Sequence, residues 1–573
     1  MGQNILMVYP KIDSDTYWSF SNSLSFINKK SAMPPLGLIT LASMVKEYDS
    51  SYNIKLVDEN VTKLRNKDLK WADIVMTSSM IVQSESLDDV ITRARKYNNI
   101  IVAGGPHPTQ FYDTISGVDH FVLGEAESNV LEGSRAGVLV SFLDDLAKGE
   151  AKKAYARIKF RKKENEYGID IGEYHKLISH FGDNKDITIS VSRPDINSSP
   201  VPMYELLDMG AYGSMAIQFS RGCPMSCEFC NEPTLFGHRP RVKNAENFVS
   251  ELQKIYDLGY NGSVFIVDDN FIGNIKEAKN VLSEIKKFQE RNDNPFRFYT
   301  EASLNLSSND SLMESMRDAG FSMVFVGIES PDSDVLEGVG KYVNSKRNLA
   351  DSVKKIQSYG MEVTAGMIVG MDKEPFDICD KVFDFAQEAG ISTLMAGLLI
   401  PSPGSEIYRR FKEEGRLLED VVMGGNNTHF DKLAYIPDNG RNSDTIIGAY
   451  HKLLTNLYDK DGKAYFERCK VLLDNIQPGK GFTRKVGLDE IKMLGRSLVR
   501  QSFSSYGKEY LKFVNYARRS HPDKFPEAIR LAIMGHHFIQ ITKNQSPNVL
   551  QRYLNEAKKD FNKVKKDISE KLK

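Results

Sequence analysis

The stretch Phe219-Ser-Arg-Gly-Cys223-Pro-Met-Ser-Cys227-Glu-Phe-Cys230-Asn231 puts three of the chain's five cysteines within eight residues, in the spacing C-x3-C-x2-C. Thiolates are soft ligands suited to iron–sulfur clusters or zinc. A tight loop can wrap three of them around one face of a cluster. A cubane cluster has four irons, so three cysteines leave one iron without a protein ligand. That open iron can bind a small molecule through oxygen and nitrogen and pass it one electron. Zinc is the competing reading, but structural zinc wants four closed ligands, often in paired C-x2-C units. No second pair exists here, and His238 is the residue that could complete a set. Cys379 and Cys469 stand alone and read as small buried hydrophobes. So few cysteines exclude a disulfide scaffold.

Outward from this loop, short apolar runs alternate with helical patterns on both sides. On the C-terminal side, strands are expected at Met215–Phe219, Ser263–Val267, Arg297–Glu301, Met323–Ile328, Glu362–Ile368 and Thr393–Ile400. Helical patterns such as Asn244–Leu258 and Ile275–Glu290 separate them. Six such units predict a partial (β/α)6 barrel rather than a closed eight-unit one. On the N-terminal side, Asn4–Tyr9, Ile54–Asp58, Ile74–Met76, Ile100–Ala103 and Phe121–Leu123 read as strands, with a helix over Leu36–Tyr48. Such alternation predicts a parallel, Rossmann-like sheet, whose ligands bind at the carboxyl ends of strands. Asp58, Thr77–Met80 and Gly104–Thr109 would cluster there. The fold class is therefore α/β. We expect a front domain over 1–150, a polar linker over 151–205, the barrel over 206–425 and a mainly helical domain over 426–573.

The 573 residues carry a formal net charge of −1, which gives no electrostatic case for nucleic acid as a partner. The start of the chain lacks a basic n-region ahead of an apolar core, and no apolar run approaches the ~20 residues that span a bilayer. A cytoplasmic protein is expected. Near the end, Leu554, Ala557, Phe561, Val564, Ile568 and Leu572 fall at helical spacing between lysines. That face could make peripheral contact with an anionic membrane, although an ordinary packed helix is the favoured reading.

The cysteine spacing, at this place in a β/α chain, resembles the radical S-adenosylmethionine (SAM) superfamily. In that family a 4Fe-4S cluster chelates SAM and cleaves it reductively to a 5'-deoxyadenosyl radical, so the resemblance assigns Cys223, Cys227 and Cys230 as ligands. Phe229 matches the aromatic near the adenine. Asp268, Asp269 and Asn270 close the second barrel strand, where the family binds the amino end of SAM. Glu301 resembles a polar residue of the third strand, and Gly327-Ile-Glu329 ends the fourth. Gly366-Met-Ile-Val-Gly370-Met-Asp-Lys-Glu374 resembles the G-x-I-x-G-x-x-E pattern that flanks the adenine, with its glutamate one residue late.

A parallel domain ahead of the cluster motif resembles the cobalamin-binding domain of B12-dependent radical SAM enzymes. Pro34-Pro-Leu-Gly-Leu38, Ala103-Gly-Gly-Pro106, Leu123-Gly-Glu-Ala-Glu127, Leu206-Leu-Asp-Met-Gly210, Gly425-Asn-Asn427 and Met534-Gly-His-His537 are similar to the hopanoid C2-methylase-like group. No D-x-H-x-x-G motif supplies a lower cobalt ligand. Gly104 and Gly105 could let backbone approach a corrin closely, since glycine has no side chain. The resemblance implies cobalamin-dependent C-methylation of an unactivated carbon in a lipid or other small molecule. It also implies an electron donor such as flavodoxin or ferredoxin. Two alternatives remain open from sequence. One is a non-methylating radical SAM enzyme with a degenerate front domain, and the other is a noncatalytic metal- or corrinoid-binding protein.

Overall fold

The computed structural model describes residues 3–544, apart from 13–15, 128–136, 419–431, 478–487 and positions 159, 164, 165, 170, 184, 192 and 439. Its first sheet is built from β1 (Asn4–Tyr9), β2 (Asn53–Asp58), β3 (Ile74–Ser78), β4 (Ile100–Gly104), β5 (His120–Leu123) and β6 (Ala154–Arg157). A hairpin of β7 (Phe160–Lys163) and β8 (Glu166–Ile169) follows, and β9 (Ile187–Ser190) completes the sheet. The order is β2-β1-β3-β4-β5-β6-β9, with every pairing parallel. Separate apolar cores cover its two faces. That is why its strands read as unbroken apolar runs rather than as alternation: Ile5, Leu6, Met7 and Val8 are all fully buried.

The expected linker is where sequence and structure part. Residues 151–205 supply β6 and β9 to the front sheet, and the helix Ile171–Phe181 buries Leu177 and Phe181 in its core. Ala-Tyr-Ala-Arg and Ile-Thr-Ile-Ser are four-residue strands set among charges. Runs this short carry no readable period; pairing with β5 and with each other makes them strands.

The second sheet takes β10 (Met215–Ile217), then β13 (Gly262–Ile266), β14 (Phe296–Glu301), β15 (Phe321–Glu329), β16 (Glu362–Val369) and β17 (Leu394–Leu398). All are parallel and paired in chain order, which makes a six-stranded partial barrel. Between β10 and β13, the short antiparallel pair β11 (Ser220–Arg221) and β12 (Arg241–Val242) brackets the cysteine loop. The outer helices follow from their sequences. Ile275–Arg291, for example, is capped by the Asn274 side chain, and buries Ala278, Val281, Leu282, Ile285 and Phe288 at helical spacing.

Helices Ser443–Leu457, Lys463–Asn475, Leu488–Ser502 and Gly507–Ser520, with helical residues 525–544, form the C-terminal unit. Its core joins that of the barrel. Inside it Arg468 is fully buried, donating to the Leu457 carbonyl at 2.7 Å, with its guanidinium 5.0 Å from the Tyr458 and Tyr465 ring centres. Gly425-Asn-Asn427 and the Leu554–Leu572 stretch lie outside the described residues. Among the described residues no helix is long and apolar enough to cross a membrane.

Candidate active site

The carboxyl ends of the barrel strands surround a cavity of about 760 Å³. The loop after β10 brings Cys223, Cys227 and Cys230 onto its wall together. None of the three is in a disulfide. Among the described residues no group of three or more His, Cys, Asp or Glu is already arranged to hold a single metal ion.

Three residues that follow β13 share the support of this loop. Asp268 is fully buried beneath it: Oδ1 accepts from the Phe219 amide at 2.8 Å and Oδ2 from the Ser220 hydroxyl at 2.6 Å. Burial pushes its carboxyl up to about 7, against the pull of those hydrogen bonds. Asp268 thus braces the start of the loop and does not line the cavity. Asp269 and Asn270 do line it. The Asn270 amide nitrogen lies 3.8 Å from the Cys223 sulfur, and its Oδ1 accepts from the Ser303 amide at 3.2 Å.

Charge is unevenly balanced here. Asp269 is hydrogen-bonded to Glu232; burial first, and then this carboxylate neighbour, pushes Glu232 up to about 9. Burial, with Asp269 and Glu329 nearby, pushes Glu301 up to about 8. Burial raises all three cysteine thiols, Cys230 to about 12. Among the described residues that line the cavity, one is a cation. Lys341 Nζ sits 2.6 Å from Glu329 Oε1 and 5.7 Å from the centre of the Phe229 ring. Burial would lower its ammonium, but Glu329 and the nearby thiols more than offset this. A Cβ on Gly327 would come within 2.9 Å of Lys341 Nζ, so the glycine leaves room for the pair.

Of the residues marked from sequence, the cavity gathers Cys223, Cys227, Cys230, Phe229, Asp269, Asn270, Glu301, Glu329 and Gly366. Gly370 stands behind the wall at φ +100°, where its amide donates to Glu374 Oε2 at 2.8 Å and its carbonyl accepts from the Tyr435 hydroxyl. The displaced Glu374 is a buried brace for that turn, joined by Arg441 at 3.4 Å. Gly104 and Gly105 close the front sheet rather than line this cavity. A Cβ on Gly104 would lie 2.7 Å from the Val122 carbonyl oxygen, and one on Gly105 would lie 3.1 Å from the Ser79 amide. Close packing against Val122, Ser78 and Ser79 leaves no room for a side chain at either glycine. Sequence reading missed Glu232, Lys341, Phe325 and Trp18. Glu232 follows the last cysteine by two residues, and that proximity was the available signal. Lys341 and Trp18 reach the site only through tertiary contact.

His536, His537, Arg221 and Arg241 serve the frame. His536 and His537 are pushed down to about 4 by burial and hydrogen-bond Tyr506 and the Tyr17 carbonyl respectively. His238 is exposed and absent from the cavity wall. Arg241 donates to both carboxylate oxygens of Glu125 at 2.9 Å. Arg221 reaches Glu125 at 3.0 Å and Glu127 at 2.6 Å. These ion pairs tie the loop after β5 in the front sheet to the β11/β12 pair that holds the cysteine loop.

Comparison with known proteins agrees with this arrangement. Residues 26–132 match the B12 binding domain, 217–386 the radical SAM superfamily, and 405–549 a domain of unknown function, DUF4070. A Synechocystis sp. protein described as an uncharacterized methyltransferase is 32% identical over 97% of this chain and 95% of its own length. The hopanoid C-2 methylase of Rhodopseudomonas palustris is 29% identical over 73% of this chain and 72% of its own. The radical SAM methyltransferase TsrM from Kitasatospora setae, solved with cobalamin and a 4Fe-4S cluster, shares the fold with a TM-score of 0.56 at 15% identity, covering 91% of this chain and 100% of its own. The chain therefore belongs to the radical SAM superfamily of enzymes, among methyltransferase-type members that carry a B12 binding domain ahead of the radical SAM domain.

Proposed function

We propose that this enzyme is a cobalamin-dependent radical SAM methyltransferase acting on an unactivated carbon of a small molecule or lipid. The observation that carries the reading is one cavity in which three cysteines of a single loop face an acidic end and a lone lysine, beside a B12-type sheet. The donor set suits a 4Fe-4S cluster: three thiols and no exposed histidine drawn in to close a fourth position. When bound, the cluster supplies one electron to SAM and the corrinoid supplies a transferable methyl group.

Cys223, Cys227 and Cys230 would hold the cluster. Asp269 and Glu301, both raised by burial, would gain their charge beside the SAM ammonium, because a cation lowers a neighbouring carboxyl's affinity for its proton. Lys341, already partnered by Glu329, would face the SAM carboxylate. Phe229 offers an apolar surface beside the last cysteine for the adenine. Glu374 and Gly370 hold the strand-end turn behind it. The front sheet would take the corrinoid at its carboxyl end, beyond the strand ends that Gly104 and Gly105 pack together. A low-potential donor such as flavodoxin or ferredoxin would supply the electron.

Anaerobic preparation with iron, sulfide and corrinoid analysis, followed by turnover with dithionite, tests the reading. Both S-adenosylhomocysteine and 5'-deoxyadenosine should form. Cys227→Ala should abolish cluster content and SAM cleavage together. Formation of 5'-deoxyadenosine alone, with no corrinoid bound, would refute methylation. Full activity of the Cys227→Ala protein would refute the site.

A further inference from the structure

The connection between β1 and the helix Leu36–Tyr48 leaves the front sheet and crosses to the C-terminal helices. It turns at Tyr17–Ser19, and adjacent residues there go opposite ways. Trp18 joins the wall of the active-site cavity, half-buried, with its ring centroid 5.8 Å from that of Phe325. Tyr17 is buried away from the cavity and stacks on Phe538, with centroids 5.8 Å apart and planes 20° apart. Its hydroxyl meets Thr542 Oγ1, and its carbonyl accepts from His537 Nε2 at 2.9 Å. Further along, Phe26 enters a small core with Met493, Ile529 and Ile533. Arg496 donates to the Phe26 carbonyl at 2.8 Å, and Arg500 to the Ser25 hydroxyl at 2.9 Å.

Every one of these anchors belongs to the C-terminal helices. Because Tyr17 and Trp18 share a backbone link, fixing the first sets the second to within one residue's freedom. The cavity wall is chemically mixed. The polar groups, namely the cysteines, Asp269, Glu301 and Lys341, share the wall with Trp18, Phe325, Met395 and Leu398, and Phe325 is the sheet partner of Glu301. The Trp18 indole beside the Phe325 ring accepts apolar surface and offers no charge for a polar group.

We propose that the C-terminal helical unit is a clamp that sets Trp18 as the specificity-determining wall of the cavity, and that the substrate presents an apolar surface to it. The inference rests on the enzyme reading above, which names the cofactors, and adds the substrate's chemistry at the Trp18 wall. The helical unit gains a role: it shapes the barrel's site through a loop of the front domain.

The chain has two tryptophans, Trp18 and Trp71. Trp71→Phe therefore leaves Trp18 as a single fluorescent reporter, and Trp71 sits far off under Lys55 on the front sheet. In this apoprotein, 1-dodecanol should shift Trp18 emission to the blue with saturation, while uridine should not. Tyr17→Phe and Thr542→Val each remove one side of the clamp's hydroxyl contact and keep its shape. Either should raise acrylamide quenching of Trp18 by about twofold to fivefold, the scale set by one buried hydrogen bond. A dodecanol titration that leaves the emission unchanged, or a response to uridine instead, would overturn the substrate class. Unchanged quenching in both variants, each still cooperatively folded by circular dichroism, would overturn the clamp. SAM cleavage by the reconstituted Trp71→Phe enzyme is measured alongside. Its absence would count against the enzyme reading, independently of how Trp18 responds.

Discussion

The two parallel sheets end differently, although both are built from β/α units. At the front sheet, strand-end groups are satisfied by the protein itself. Asp58 accepts from Asn60 at 2.7 Å and from the Tyr212 hydroxyl at 3.0 Å, and Gly104 and Gly105 let adjacent strand ends meet. At the barrel, the corresponding ends leave Asp269, Glu232 and Glu301 crowded on the cavity wall and raised, with Lys341 as the cation among them. A folded chain keeps such groups against their desolvation cost where a ligand will satisfy them. The barrel end thus leaves charged groups for a ligand to satisfy, whereas these front strand-end groups find partners within the protein.

The comparison makes the join between the two sheets its most vulnerable point. Arg221→Met removes the cation that serves both Glu125 and Glu127, so buried Glu127 loses its ion pair and Glu125 is left with Arg241. Denaturant unfolding should show a loss of about 3–5 kcal/mol, the scale for breaking a buried pair from one side. The same join governs the acid limb. Burial alone would raise Glu127, but Arg221 and the Ser199 hydroxyl hold its carboxyl down, to about 2. Below its ordinary value near 4.5, the unfolded chain takes up the proton first, so stability falls as pH drops from about 4.5 toward about 2. A Glu127→Gln protein should lack that part of the acid slope.

A smaller effect tests the claim that the front glycines serve packing. Gly105 sits at φ +91° and ψ −175°, a conformation nearly exclusive to glycine. Gly105→Ala should cost about 1–3 kcal/mol while leaving iron content unchanged. Full stability with lost corrinoid binding would instead make the glycine a ligand contact.

The smallest effect concerns the barrel end. Between about 4.5 and about 8, Glu301 keeps its proton in the folded protein and loses it in the unfolded one. The folded state then binds more protons, so apoprotein stability falls as pH rises through that window. Glu301→Gln should stabilise the apoprotein at pH 8 relative to pH 5 by on the order of 1 kcal/mol, discounted because the group faces an open cavity. It should also weaken SAM binding. Equal pH profiles for the two proteins would remove Glu301 from the strained set.

The cluster loop and both sheets were legible because their signals are local. Three cysteines in eight residues declare a chemistry wherever the chain goes, and Asn4–Tyr9 or Leu36–Tyr48 carry apolar patterns long enough to name their own structure. The strands Ala154–Arg157 and Ile187–Ser190 were invisible because four residues hold no period, and neighbouring strands decide their state. Asp268, Asp269 and Asn270 could be marked as one motif. Folding divided them, because successive residues past a strand end point different ways: one became a buried brace and two became cavity wall.

By itself, then, the sequence determined the ligand atoms of the proposed cluster, the two β/α repeats and their order. What only the tertiary structure decided is the rest of the cavity. Lys341 meets Glu329 across a loop, and Trp18 reaches the barrel from the front domain while helices more than 500 residues later in the chain hold its neighbour. Such contacts join groups with no shared spacing, so the free energy that selects them, burial and pairing in three dimensions, leaves no pattern along the chain.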